Sequence, residues 1–368
     1  MTNREQQLLR WIEEDPMVSQ DELAKRAGIT RSSIAVHIAN LTKKGYLAGK
    51  GYVLRKAPYC VVVGGVNMDI TGKSANPLVP EDSNHGTVTM TLGGVGRNIA
   101  HNLRLMEADV RMLTAVGTDA NGQRAMEHCR SLGMDMSRAL QLADCATSTY
   151  LCICAPNGDM DLAISDMGIC DRITPEYLAA NRATLQGAAA VVVDCNVPES
   201  SIAWLAENIT APLYADPVST HKAVKLKPVL GKLHTLKPNA IEAEILSGVT
   251  IRTEEDLPKA ANALLQTGLK QVFISLGSKG VYCADHNTRL HLSNLPGQME
   301  NTTGCGDSFM AALVRAGMSG MNPEESAKLG LAAAAITMEY TGAINPCMSR
   351  EALITRSGVE LPALLRYE

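Results

Sequence analysis

From about Pro58 onward, short apolar runs rich in β-branched residues alternate with longer helix-forming stretches, an order that few architectures accept. The runs Tyr59 to Val63, Ala189 to Val193, Gln271 to Leu276 and Val281 to Ala284 are separated by helical stretches such as Asn98 to Met106, Glu255 to Leu265 and Glu324 to Met338. This alternation predicts an α/β domain: a mostly parallel sheet covered by helices on both faces, with ligands bound beyond the carboxyl ends of the strands. Two regions break the pattern. Gly86 to Leu92 and Ser148 to Ile164 read as alternating antiparallel strands, the second turning at Pro156 to Asp159, and predict a small projecting sheet that acts as a lid.

Residues 1 to 56 have a different texture and predict a separate domain, leaving 57 to 368 for the α/β unit. They hold ten Lys or Arg against six Asp or Glu, a net of +4, which leaves −8 on the remainder of a chain whose total is −4. Glu5 to Glu14 is an amphipathic run carrying Leu8, Leu9 and Ile12, with Pro16 after it. Ser19 and Glu22 have the spacing of a capping box for a second helix that Gly28 stops. Thr30 caps a third helix with Ile34, Ile38 and Leu41 as its apolar stripe, and Tyr46 to Leu54 suits a wing. The order predicts a winged helix-turn-helix whose third helix enters the major groove. Arg31, Ser32, Ser33 and His37 would then face DNA, with Lys43, Lys44 and Lys50 on phosphates.

No apolar run approaches the ~20 residues of a membrane-spanning helix, and the first residues lack the pattern of a signal peptide, so a cytoplasmic protein is expected. The ten cysteines show no paired CxxC spacing and fit free thiols in a reducing compartment. Eight scattered histidines show no metal-ligand spacing.

Chemistry concentrates in glycine-rich turns. Asn301 to Leu313, NTTGCGDSFMAAL, is a polar turn running into a helix, so that consecutive N–H groups converge on an anion at the helix start. Asp307 stands at that mouth. A carboxylate there is suited to take the proton of a hydroxyl that attacks a phosphate held by the adjacent N–H groups. Gly64-Gly65-Val66-Asn67-Met68-Asp69 ends the first run, and Asp69 has the chemistry to accept from vicinal sugar hydroxyls. Gly93-Gly94-Val95-Gly96-Arg97-Asn98 is a third such turn, again opening a helix.

These motifs, with Asn239-x-x-Glu242 and the SLGSKG turn at Ser275 to Gly280, stand in the order found in ribokinase-like carbohydrate kinases of the PfkB family, which the chain resembles over residues 58 to about 350. Its wording (GGVGRNIAHNL, YADPVSTHKAVK, HTLKPNAIEAEILSG) is most similar to the bacterial branch that acts on pseudouridine. The resemblance implies a three-layer α/β/α sandwich with a small β lid, behind the winged helix. It implies an ATP- and Mg2+-dependent kinase acting on the 5′-hydroxyl of a nucleoside. Another nucleoside such as inosine, a ribose-like sugar, or a ligand-sensing transcription regulator are the alternatives. Asp307 is implied as the base, with Gly304, Cys305 and Gly306 as the anion hole. Asn239 and Glu242 would hold the triphosphate and its magnesium, Glu242 through water, and Ser275, Gly277 and Gly280 would lie along the nucleotide. Asn67, Asp69, Gly93, Gly94 and Asn98 would grip the ribose, and Ser148 and Asp166 would reach the base from the lid. A homodimer is expected.

The chain departs from the family pattern at two positions. Asn301 stands where the family has Asp, which removes an anionic ligand from any potassium site that Asn301, Thr303 and the carbonyls near Gly342 would form. Cys305 stands where the family has Ala, and a thiol at a phosphate-binding helix start is expected to be unusually acidic.

Overall fold

A computed structural model describes residues 1–48 and 57–365. The chain divides into two compact units, Met1–Pro58 with Ala363–Glu368, and Tyr59–Pro362. The smaller unit has helices at Asn3–Glu14, Gln20–Ala27 and Arg31–Lys43 around Leu8, Ile12, Leu23, Ile34 and Leu41. Ser19 accepts from the Glu22 N–H, but the Glu22 carboxylate pairs with Arg26 at 3.3 Å, so the expected capping box is not the one that forms. Thr2 and Glu5 build it on the first helix. Most of the expected wing, including Lys50, lies outside the described residues.

In the larger unit the strands are β1 (Tyr59–Val63), β2 (Asn67–Ser74), β3 (Gly86–Gly93), β4 (Asp109–Leu113), β5 (Ala115–Gly117), β6 (Leu140–Leu142), β7 (Thr149–Cys154) and β8 (Met160–Asp166). They continue with β9 (Ala190–Asp194), β10 (Leu213–Asp216), β11 (Thr235–Leu236), β12 (Gln271–Ser275), β13 (Val281–Ala284) and β14 (Arg289–Leu292). The central sheet runs β14-β13-β12-β11-β10-β9-β1-β4. From β4 to β12 every pairing is parallel, and β13 and β14 close one edge as an antiparallel hairpin. Val61 to Val63 and Val191 to Val193 are fully buried because helices cover both faces, which explains why these strands read as continuous apolar runs. The helices Val95–Leu105, Cys305–Gly317 and Pro323–Met338 begin at the turns singled out above or pack beside them.

The lid is a second sheet, β3-β2-β7-β8. Its outer pairs are antiparallel as expected, but β2 and β7 pair in parallel, so the sheet is mixed. β1 stops at Val63 and Asn67 already belongs to the lid, so Asp69 sits near the start of a lid strand and not at the end of a core strand. Residues paired across strands share a face. Met90, Ile70, Leu151 and Ile164 form one row, and Val88, Gly72, Ile153 and Leu162 the next, giving an apolar face on which Val88, Leu162 and Ile164 are exposed.

Candidate active site

Four charged side chains arrive at the carboxyl ends of adjacent strands. Asp194 ends β9, Asp216 ends β10 directly beside it, and Lys237 follows β11. The fourth, Asp307, enters from the first turn of the helix Cys305–Gly317. Asp194 is buried and works as a clamp. One carboxylate oxygen accepts from the N–H groups of Gly65 (2.9 Å) and Gly96 (2.8 Å), and the other accepts from Asn196 N–H (2.8 Å). The two glycine turns are thereby tied to one residue.

The turn at Gly93-Gly94 approaches so closely that only glycine fits. Gly94 has φ +102°, and a Cβ there would lie 2.5 Å from the Gly65 carbonyl, while one at Gly93 would lie 2.1 Å from the Asp69 carboxylate. Asn67 is buried and donates to Asp69 Oδ1 at 2.5 Å. Burial raises the Asp69 pKa above the ordinary carboxylate value against the Asn67 bond and the Arg97 charge. Asn98, expected to grip the ribose, bonds two protein groups: Oδ1 accepts from Arg97 Nη1 at 2.7 Å, and Nδ2 donates to Asp307 Oδ2 at 2.8 Å.

Asp307 keeps contact with solvent, yet burial and the nearby Asp216 and Asp194 charges push its pKa up to about 7 against the Asn98 bond and Lys237. A carboxylate with that pKa is a competent base near neutrality. Around it, Gly304 adopts the left-handed conformation (φ +82°) and Gly306 is exposed, with Lys237 Nζ only 3.3 Å from where a Cβ on Gly306 would stand. Cys305 behaves differently from expectation. Its N–H turns back to the Thr302 carbonyl at 3.3 Å, and burial, with the Asp307 charge, drives its thiol up to about 11, so it is not an acidic thiol.

Of the residues expected along the nucleotide, Asn239 and Glu242 cap the helix Ala240–Ser247 reciprocally, at 2.8 and 2.9 Å, and Glu242 is 5% exposed. Burial raises its pKa despite the Asn239 N–H it accepts. Asn239 bridges Ser275, and both line a cleft of about 340 Å³ with Ile241, Gly277 and Lys279. Gly280 shapes the turn before β13 and does not line this cleft. One Glu242 oxygen is committed to the cap, and the other suits a metal-bound water. Among the described residues no cluster of three or more His, Cys, Asp or Glu cages a metal. That donor set fits magnesium, which keeps its waters and takes its remaining oxygens from phosphate.

The expected potassium ligands do not fit that ion. Asn301 Nδ2 donates to the Thr341 carbonyl at 2.8 Å, and Asn301 Oδ1 accepts from Thr303 N–H at 2.9 Å, so the amide occupies oxygens that a cation would need. Gly342 follows Thr341 in the same loop.

Two lid residues are also placed differently from expectation. Ser148 is buried with its hydroxyl 3.9 Å from Cys170 Sγ. Asp166 pairs with Thr149 and so falls in the register row of Met68, on the face opposite Asp69; Tyr150, Ser165 and Thr91 occupy the Asp69 row. In the small unit, Arg31, Ser32 and Lys43 are exposed, but Lys44 Nζ is held by the buried Glu5 at 2.7 Å. Ser33 bonds Thr30, and His37 is half-buried.

Sheet, lid and a carboxylate at a glycine-rich helix start define a ribokinase-type kinase of nucleosides or sugars, an enzyme class that uses ATP with Mg2+. Residues 57–350 match the pfkB family carbohydrate kinases, and the chain belongs to that family; residues 1–48 match a winged helix-turn-helix DNA-binding family. The chain is 39% identical over 356 residues to an uncharacterized sugar kinase of Escherichia coli, YeiI, spanning 95% of this chain and 98% of that one. It is likewise 39% identical over 300 residues to the pseudouridine kinase of Escherichia coli, spanning 80% and 95%. Among solved structures it is similar to a carbohydrate kinase from Agrobacterium tumefaciens (28% identity, TM-score 0.73, 83% and 98% covered). It is also similar to the ribokinase of Thermotoga maritima (26%, TM-score 0.73, 82% and 99%).

Proposed function

We propose that this kinase phosphorylates the 5′-hydroxyl of a nucleoside, with pseudouridine the preferred substrate. The Asn98–Asp307 hydrogen bond carries the reading, because it joins the turn beside the sugar-binding carboxylate Asp69 to the base at the anion hole. Asp307 takes the hydroxyl proton as the oxygen bonds the γ-phosphorus, the bond to the β-phosphate oxygen breaks, and ADP leaves with that electron pair. Gly304 and Gly306 supply backbone donors to the transferring group, Asn239 and Glu242 would hold the triphosphate and a metal-bound water, and Asp69 orients the sugar. When bound there, magnesium would neutralise charge on the phosphates. Tyr150 and Ser165, on the face of Asp69, are the lid groups that meet the base.

The similarity to a pseudouridine kinase over 95% of its length supports this substrate. A 28% identical guanosine-inosine kinase from Exiguobacterium acetylicum keeps inosine as the alternative. An ADP-release screen against pseudouridine, uridine, inosine, ribose and fructose tests it: pseudouridine should give the highest kcat/KM, and a preference for inosine or ribose overturns the substrate while leaving the kinase. The exposed apolar rows of the lid support a homodimer formed through that face, for which Ile164→Glu should yield monomer in light scattering.

A regulatory role is favoured by the basic residues 1–56 and the winged-helix match. Full-length protein should bind DNA with an affinity that falls steeply with salt, and a chain starting near Ala57 should lose binding and keep kinase activity. Absence of binding at low salt leaves residues 1–56 as a protein-interaction module.

A further inference from the structure

Arg97 is 4% exposed, and among the described residues its guanidinium has no carboxylate within ion-pair distance. Nη1 donates to Asn98 Oδ1 at 2.7 Å, and Nε is buried without a partner. A permanent cation held in the interior with so little compensation opposes folding, and such groups are kept where they act on a site. The geometry gives it such an action. Because arginine only donates, it fixes Asn98 Oδ1 as the acceptor and leaves the Asn98 amide hydrogens no choice but to face Asp307 Oδ2, which they reach at 2.8 Å. Asp307 can accept that bond only through a lone pair, so Oδ2 is held in the acceptor state and Oδ1 stays open to an incoming hydroxyl.

We propose that Arg97 is a positioning residue for phosphoryl transfer: through Asn98 it orients the Asp307 carboxylate, and its charge favours the ionised base. The proposal rests on Asp307 being the base. The groups facing Arg97 are Asp69 of β2, Asp307, Cys129 and His128 of the helix Ala120–Ser131, and His101 one turn along its own helix. Those facing Asp307 are Asp216, Asp194, Lys237 and Cys305. Among these, His101 and His128 are held below the ordinary histidine value, first by burial and then by the Arg97 charge. They remain neutral near pH 7, so the acid limb near neutrality reports Asp307.

The test is a pH profile of kcat/KM for wild type, R97M, R97Q and R97K, with carbon-13 titration of the Asp307 carboxyl. R97M should lower kcat/KM by ~10²-fold, the size of a lost site dipole. Its acid limb should move upward by roughly half a unit or more, the direction expected when a nearby cation is removed. Its Tm should not fall, since a buried cation with no ion pair and an unpartnered Nε has gone. R97Q, which keeps a donor and loses the charge, should show the same limb shift, and R97K should restore the limb. R97M and N98A should be non-additive in a double-mutant cycle. A limb that stays put in both R97M and R97Q, or additive losses, overturns the proposal. Should R97M fail to fold, R97Q and R97K decide it. If D307N stays active, the base assignment fails, and the carbon-13 titration still decides whether Arg97 controls that carboxyl.

Discussion

Lys237 Nζ lies 3.1 Å from Asp216 Oδ2 with both side chains buried, and the same Nζ is 3.3 Å from where a Cβ on Gly306 would stand. Burial alone would lower the lysine pKa, but Asp216 and Asp307 outweigh it and hold the ammonium above its ordinary value. The lysine thus stays charged across the working pH range.

Breaking one side of this pair should cost far more than removing both. K237M leaves Asp216 as an uncompensated buried carboxylate and should destabilise the protein by ~3–5 kcal/mol. K237M/D216N should recover most of that loss in urea unfolding. A double variant no more stable than K237M would show that the lysine contributes through packing.

Asp307 should exchange stability for activity in a pH-dependent way. Its folded pKa, about 7, lies above the ordinary 3.8, so its ionisation disfavours the folded state increasingly as pH rises between those values. D307N should therefore exceed wild type in stability at pH 8, by at most about 4 kcal/mol, with the difference gone below about pH 4. The same substitution should lower kcat by at least ~10²-fold while ATP binding persists. Equal stability of the two proteins at pH 8 would refute the raised pKa.

Gly304 tolerates no side chain. Its φ is +82°, and an added Cβ would stand 2.1 Å from the Ala343 carbonyl, so Gly304→Ala must displace the loop proposed as the anion hole. A loss of kcat of ~10²–10³-fold is expected, with nucleoside affinity retained in calorimetry. Wild-type turnover would remove the loop from the site.

Potassium should be dispensable. Asn301 donates to the Thr341 carbonyl and accepts from Thr303, so the loop is already cross-linked without an ion. Turnover should be the same with tetramethylammonium as with potassium as the sole monovalent cation. A steep rise on adding potassium would place an ion there.

The glycine turns and Asp307 at its helix start were legible because each is a local pattern whose backbone demands are written in neighbouring residues, whereas the reciprocal cap of Asn239 and Glu242 and the place of Asp69 in a lid strand were not. Asp194, Asp216 and Lys237 were not singled out, since only the parallel register of β9, β10 and β11 brings them together. A signal existed: each is a charged residue closing an apolar strand, in VVVD, YAD and TLK. Arg97 carries no sequence signal beyond its place in a turn, because burial, which gives it meaning, is a tertiary property. Asp166 went to the other face of the lid because side chains alternate along a strand, so one residue's difference in register reverses orientation.

Because Asp194 holds Gly65 and Gly96 with one oxygen, the strand that carries Asn67 and Asp69 and the helix that carries Asn98 share a single anchor. Any swing of the lid must therefore bend beyond Asn67, and the floor proposed for the sugar is assembled before a substrate arrives. An arriving substrate meets rigid acceptors and spends its binding free energy on closing the outer strands, so selectivity among bases should appear in the rate of lid closure, with sugar recognition already decided at encounter.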